Sequence, residues 1–181
     1  MDKLVPLALE LGFTKAAALN VSALRPMEEV RQMCAADRCR AYGKSWSCPP
    51  ACGSLERCAE RLRGFDGGVL VQTLGRTEGD FDEQAVRETE RLHRERFFEL
   101  ARLGRGLYPG SLALGAGPCG LCLKCAYPRP CRFPKKMIPS MEAYGLLVSQ
   151  VCRDSGLDYY YGAGTISFTA CILTKEGNET P

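Results

Sequence analysis

Val69-Leu70-Val71-Gln72-Thr73-Leu74 is the stretch that decides the fold. It is short, apolar and rich in β-branched residues, and Gly67-Gly68 punctuates the chain just before it, so it predicts a buried strand. On its N-terminal side Ser54 is placed to cap a helix through Leu55, Cys58, Ala59 and Leu62 that ends at Gly64, with Cys58 on the buried face. On its C-terminal side the longest helix is expected from about Phe81 to Leu103. Phe81, Ala85, Val86, Leu92, Phe97, Leu100 and Leu103 fall on one arc of it. Glu83 with Arg87 and Glu90 with Arg94 are acid-before-base pairs on the other, solvated side.

Further out the same alternation continues. A helix over residues 3–11 ends at Gly12, a strand is expected within Phe13–Val21, and Pro26 opens a helix through Met33 that delivers Cys34. Ser111–Leu114 predicts a short strand and Thr165–Leu173 a long one. Between them Ser140 is expected to cap a continuous helix through Met141, Ala143, Tyr144, Leu147, Val148 and Val151, ended by Gly156. Tyr159–Gly164 suits the lining of a pocket but is read here as a turn, and Lys175–Pro181 as a polar tail. The expected fold is therefore α/β, a single layered domain over residues 1–181 with alternating helices and strands. Two cysteine-rich metal-binding loops, at 34–53 and 115–136, are inserted between its elements.

Composition narrows the class. The chain has 181 residues, 45% apolar and 25% charged, as expected of a soluble domain able to bury a core. A net charge of +3 argues against a nucleic-acid partner, and no stretch approaches the roughly 18 to 20 apolar residues of a membrane span. Eleven cysteines stand against one histidine. The odd count and the mixed sequence after Met1 argue against a secreted disulfide scaffold, so reduced thiols and a cytoplasmic location are expected.

In the second loop Cys119, Cys122, Cys125 and Cys131 are separated by two, two and five residues. Three thiolates at such short steps, with a fourth beside prolines, suit a [4Fe-4S] cluster, because each turn of loop aims one sulfur at one iron. Zinc also accepts four thiolates, but its sites usually come as two knuckles about a dozen or more residues apart. Gly115, Gly117 and Gly120 let backbone amides approach the cluster sulfurs.

In the first loop Cys34, Cys39, Cys48 and Cys52 are separated by four, eight and three residues, and Pro49-Pro50 stiffens the chain after Cys48. A second metal centre is expected here, with packing of buried thiols as the alternative. If only Cys34, Cys39 and Cys48 bind, one iron lacks a protein ligand and is free for water or substrate. Cys52 is the residue on which that choice turns.

Other residues have simpler readings. His93 lies on the apolar arc of the long helix and is expected to pack there, and no second histidine supports zinc catalysis. Trp46 and Tyr42 suit either shielding of a cluster or anchoring of the loop. Glu142 suits either proton transfer near the second loop or simply the positive first turn of its helix. Cys152 and Cys171 read as core.

Three motifs occur in order along the chain: Tyr42-Gly43-Lys44-Ser45-Trp46-Ser47-Cys48-Pro49-Pro50, the Cys119 to Pro134 run, and Pro139-Ser140-Met141-Glu142-Ala143. Together they resemble an uncharacterised prokaryotic family of predicted metal-binding proteins. The resemblance implies metal or iron–sulfur binding in the cytoplasm, and no settled activity. Arg40 stands where that pattern leads one to expect proline, and Leu147 where it leads one to expect an acid.

The leading expectation is an iron–sulfur protein that passes electrons to or from a redox partner protein, with one cluster at Cys119–Cys131 and a second centre at Cys34–Cys52. One alternative is an iron–sulfur enzyme whose first-loop iron binds a small-molecule substrate, in sulfur removal, dehydration or reduction. Another is an interaction protein whose loops zinc or an inert cluster merely holds in place.

Overall fold

Antiparallel pairing of β2 (Gly67–Arg76) with β4 (Thr165–Thr174), in register from Gly67↔Thr174 to Arg76↔Thr165, forms the spine of the protein. A computed structural model describes residues 3–79 and 82–175. β1 (Lys15–Ala18) pairs with the outer side of β2 and β3 (Leu112–Leu114) with that of β4, giving a four-stranded sheet in the order β1-β2-β4-β3.

The strand period of two sorts the side chains onto two cores. Val69 and Val71 of β2 join Ala170 and Ile172 of β4 under α1 (Leu4–Glu10) and α4 (Glu83–Leu107), with Leu4, Phe97 and Leu100. Leu70, Cys171 and Leu173 face the other way and meet Leu62 of α3 (Leu55–Leu62), Tyr144, and Val151 of α5 (Val148–Asp154). Burial on both faces explains why the Val69–Leu74 run carries no polar alternation. Its one amide, Gln72, is fully buried and satisfied: Nε2 donates to Asp158 O at 2.8 Å, and the Tyr161 hydroxyl donates to Oε1 at 2.7 Å.

Several boundaries differ from those expected, each for a local reason. The first strand is shorter than Phe13–Val21, because its pairing with β2 covers only Lys15–Ala18. α4 starts at Glu83, capped by Asp82, whose Oδ1 accepts from Ala85 N at 3.0 Å. Phe81 lies outside the described residues, as does the expected tail beyond Lys175. α4 also runs past Leu103 to Leu107. Gly104 does not stop it, because the helix packs there against Ile172, and an added Cβ would sit 3.3 Å from its Cδ1.

The expected continuous helix from Met141 to Val151 is broken in two. A 3₁₀ turn, Glu142–Tyr144, ends at Gly145, and α5 starts only at Val148. Gly145 has φ of +74°, and a Cβ there would lie 2.5 Å from Leu55 Cδ1 and 3.0 Å from Met27 N. Its carbonyl accepts Met27 N at 2.8 Å, just ahead of α2 (Glu28–Ala35). The break therefore docks α2, which carries Cys34, against the 3₁₀ turn, which carries Glu142. Ser140 still caps, through Ala143 N to Oγ at 3.0 Å, but it caps this single turn.

Candidate metal centre

The first loop leaves α2 and enters α3. Asp37, at φ of +50°, organises its start: Oδ1 accepts Tyr42 N at 2.9 Å and Oδ2 pairs with Lys44 Nζ at 2.7 Å. Arg40 has φ of +57°, a region closed to the proline ring, which gives a physical reason for a non-proline residue there. The Pro49-Pro50 and Tyr127-Pro128 peptide bonds are cis.

Cys34, Cys39 and Cys48 line one cavity of about 440 Å³. Burial pushes the Cys34 thiol up to about 11, and the Glu142 charge adds to the rise. Burial likewise raises Cys48, against a contact with the Ser47 hydroxyl at 3.6 Å. Cys34 and Cys48 are therefore held as proton-bearing thiols, and a cation bound to them must displace those protons.

Glu142 lines the same cavity together with Gly117 and Pro118 of the second loop, so it stands where the two loops meet. Its Oε2 is buried and has no hydrogen-bond partner among the described residues. Its backbone carbonyl accepts from Cys34 Sγ at 3.7 Å. Tyr42 and Tyr159 also line the cavity.

Cys52 is placed elsewhere. It lines a separate recess with Cys58, Arg61 and Tyr144. Its Sγ donates to Ala143 O at 3.6 Å and lies 3.5 Å from Arg31 Nη1. The hydrogen bond with Cys58 comes first among the causes that raise Cys52, followed by burial. The same bond comes first in holding Cys58 down to about 7, and Arg31 also favours the thiolate. Arg31 further donates through Nη2 to Gly53 O at 2.7 Å and through Nη1 to Ala143 O, tying α2, the first loop and the 3₁₀ turn together.

The second loop leaves β3 and returns at the 3₁₀ turn, and its two ends are pinned to each other. Gly115 N donates to Pro139 O at 2.8 Å, and Met141 N donates to Gly115 O at 3.0 Å. Cys119, Cys122, Cys125 and Cys131 are all half-buried along it. Burial pushes the Cys125 thiol up, but backbone N–H groups of Tyr127, Trp46 and Ala126, with the Ser45 hydroxyl, outweigh it and leave the thiol below its usual range. The amide donors at Cys125 come from the Trp46 region and from the loop itself. Among the described residues, no three His, Cys, Asp or Glu side chains already stand grouped as an ion site.

The two loops interlock. Ser47 Oγ accepts Cys119 N at 3.1 Å, and Trp46 Nε1 donates to Arg129 O at 2.9 Å. Trp46 also meets the Tyr127 ring edge-on, with centroids 5.1 Å apart. Trp46 anchors the second loop, and Tyr42 faces the first cavity. His93 is buried on α4, with Nδ1 3.1 Å from Thr73 Oγ1 and its ring among Phe13, Phe97 and Phe168. Cys152 and Cys171 are fully buried.

Residues 17–174 match the model of a family described as "Predicted metal-binding protein (DUF2284)". The chain belongs to this family. No curated protein and no solved structure matches it. The matched span of this DUF2284 chain contains both loops and the 3₁₀ turn between β3 and α5. Among the described residues, no helix is long and apolar enough to cross a membrane.

Sequence reasoning passed over Arg31, Ser45 and Ser47 as site residues, and did not pair Cys58 with Cys52. Arg31 carried a faint signal: it lies three residues before Cys34, on the same helical face. The roles of Ser45 and Ser47 depend on contacts with the second loop and left no local signal.

Proposed function

We propose that this DUF2284 protein is a cytoplasmic iron–sulfur protein, one domain over residues 1–181, holding two centres with different tasks. Cys119, Cys122, Cys125 and Cys131 would hold a [4Fe-4S] cluster with a complete set of thiolates. Cys34, Cys39 and Cys48 would hold a second cluster with one iron facing the cavity. Such clusters supply one-electron chemistry and, at an iron without a protein thiolate, a Lewis acid for a small substrate.

The observation that carries this reading is the division of the first-loop thiols. Three share one cavity of about 440 Å³, while Cys52 shares another recess with Cys58. The buried and unpartnered Glu142 Oε2 in the same cavity fits a site that receives a cation. The geometry therefore favours an enzyme that binds substrate at the first centre, in reduction, dehydration or sulfur removal, over a carrier with two closed clusters.

Electron transfer keeps a place in this scheme at the second loop. Leu123 is fully exposed and Phe133 is 43% exposed there, beside half-buried cysteines, which suits contact with a redox partner protein. The interlock at Trp46 and Ser47 joins that loop to the first. Electrons would enter at the second loop and be used at the first.

The test is electron paramagnetic resonance of the anaerobically loaded and reduced protein, titrated with cyanide as a small ligand for iron. Perturbation of one cluster signal, abolished in Cys34→Ser and retained in Cys119→Ser, is the expected result. Two signals indifferent to cyanide would return the protein to pure electron transfer. A colourless protein with stoichiometric zinc would favour the metal-stabilised interaction module.

A further inference from the structure

We propose that the carboxylate of Glu142 is the fourth protein ligand of the first-loop centre, binding the iron that the three thiolates leave uncovered. This deepens the two-centre reading and rests on it.

Glu142 Oε2 is buried and has no hydrogen-bond partner among the described residues. A buried carboxylate oxygen without a partner is strongly disfavoured, and native proteins rarely keep one unless something else completes it. The nearby guanidinium does not serve: Arg31 directs its donors at Ala143 O, Gly53 O and Cys52 Sγ. What shares the cavity with this carboxylate is Cys34, Cys39 and Cys48. A carboxylate and thiols that line one cavity are donors that a cation can gather, the thiols on releasing their protons.

The backbone of Glu142 is held from several sides, as a ligand requires. Ser140 caps its turn through Ala143 N at 3.0 Å, and Cys34 Sγ reaches its own carbonyl at 3.7 Å. Gly145 closes the turn against Met27. Cys52, the alternative fourth ligand from the sequence, is engaged with Cys58 and Arg31 in another recess. A carboxylate is a harder and weaker partner for cluster iron than a thiolate. Glu142 would therefore hold the iron at rest and yield it to an incoming substrate without any change in oxidation state.

The experiment is Mössbauer spectroscopy of full-length protein loaded anaerobically with iron-57, comparing the wild type with Glu142→Gln, Glu142→Asp and Glu142→Cys at matched iron content. The wild type is expected to show a distinct oxygen-bound component near one eighth of the iron, from about eight irons in two cubanes. Glu142→Cys should merge that component into the sulfur-bound remainder, Glu142→Asp should retain it, and Glu142→Gln should shift it. Wild-type and Glu142→Cys spectra that superimpose at full iron loading overturn the ligand assignment while leaving the two centres intact. Should Glu142→Gln not fold, the Cys and Asp variants decide the matter alone. A wild type that takes up no iron overturns the two-centre reading itself.

Discussion

Ser47 Oγ accepts the backbone N–H of Cys119 at 3.1 Å and also contacts Cys48 Sγ at 3.6 Å. One fully buried hydroxyl thus joins a cysteine of each loop. The two loops come from distant parts of the chain, and the relative position of their thiols depends on contacts of this kind.

Replacing Ser47 by Ala leaves the Cys119 amide without its acceptor. The expected loss is roughly 1 to 3 kcal/mol in urea unfolding of the metal-free protein. Iron should also be lost faster to a chelator. A variant with wild-type stability and wild-type iron retention would show that the interlock is not needed.

Arg31→Lys should be nearly as damaging as Arg31→Met. The guanidinium reaches Gly53 O, Ala143 O and Cys52 Sγ together, and an ammonium has no planar fork with which to do so. A decrease of about 2 kcal/mol is expected for both in urea unfolding. Full rescue by Lys would mean that charge alone matters.

His93 predicts a specific acid sensitivity. Burial, with Arg96 and Arg94 adding to it, lowers its pKa from 6.5 to about 3. The folded value lies below the unfolded one, so protons bind the unfolded chain preferentially. The stabilising contribution is complete above pH 6.5 and is lost as the pH falls toward 3. Wild-type stability relative to His93→Phe should fall by about 1.4 kcal/mol per pH unit between pH 6.5 and about 3. Parallel profiles for the two proteins would contradict the buried neutral state of His93.

Most of the layered fold was legible because its elements are strongly patterned. The Val69–Leu74 run, the Thr165–Leu173 run and the amphipathic arc of α4 all became the elements expected of them. The strand order and the sorting of alternate residues onto two cores were not legible, since both depend on pairing between strands remote in sequence. The helix expected through Met141–Val151 has good apolar spacing, and only the docking of Met27 on Gly145 shows why it breaks. Around the candidate site, the sequence shows that eight of the cysteines fall in two segments, Cys34 to Cys52 and Cys119 to Cys131. The separation of Cys52 from Cys34, Cys39 and Cys48 could not be read there, because it depends on α3 presenting Cys58. Glu142 was visible as a motif residue, but its place at the first cavity followed only from that same break.

Cys52→Ser should separate the two groups of first-loop thiols. Because Cys52 faces Cys58 rather than the cavity of Cys34, Cys39 and Cys48, its loss should leave iron content unchanged. Cys34→Ser, Cys39→Ser and Cys48→Ser should each lower iron to about half, near four irons per chain. A Cys52→Ser variant that loses half its iron would make Cys52 a ligand.

The most direct measurement is iron, sulfide and zinc analysis of the wild-type protein purified without oxygen. Two cubane clusters predict about eight irons and about eight sulfides per chain, with negligible zinc. Stoichiometric zinc without sulfide would contradict the iron–sulfur account, and a wild type with only about four irons, unchanged in Cys34→Ser, would contradict a centre in the first loop.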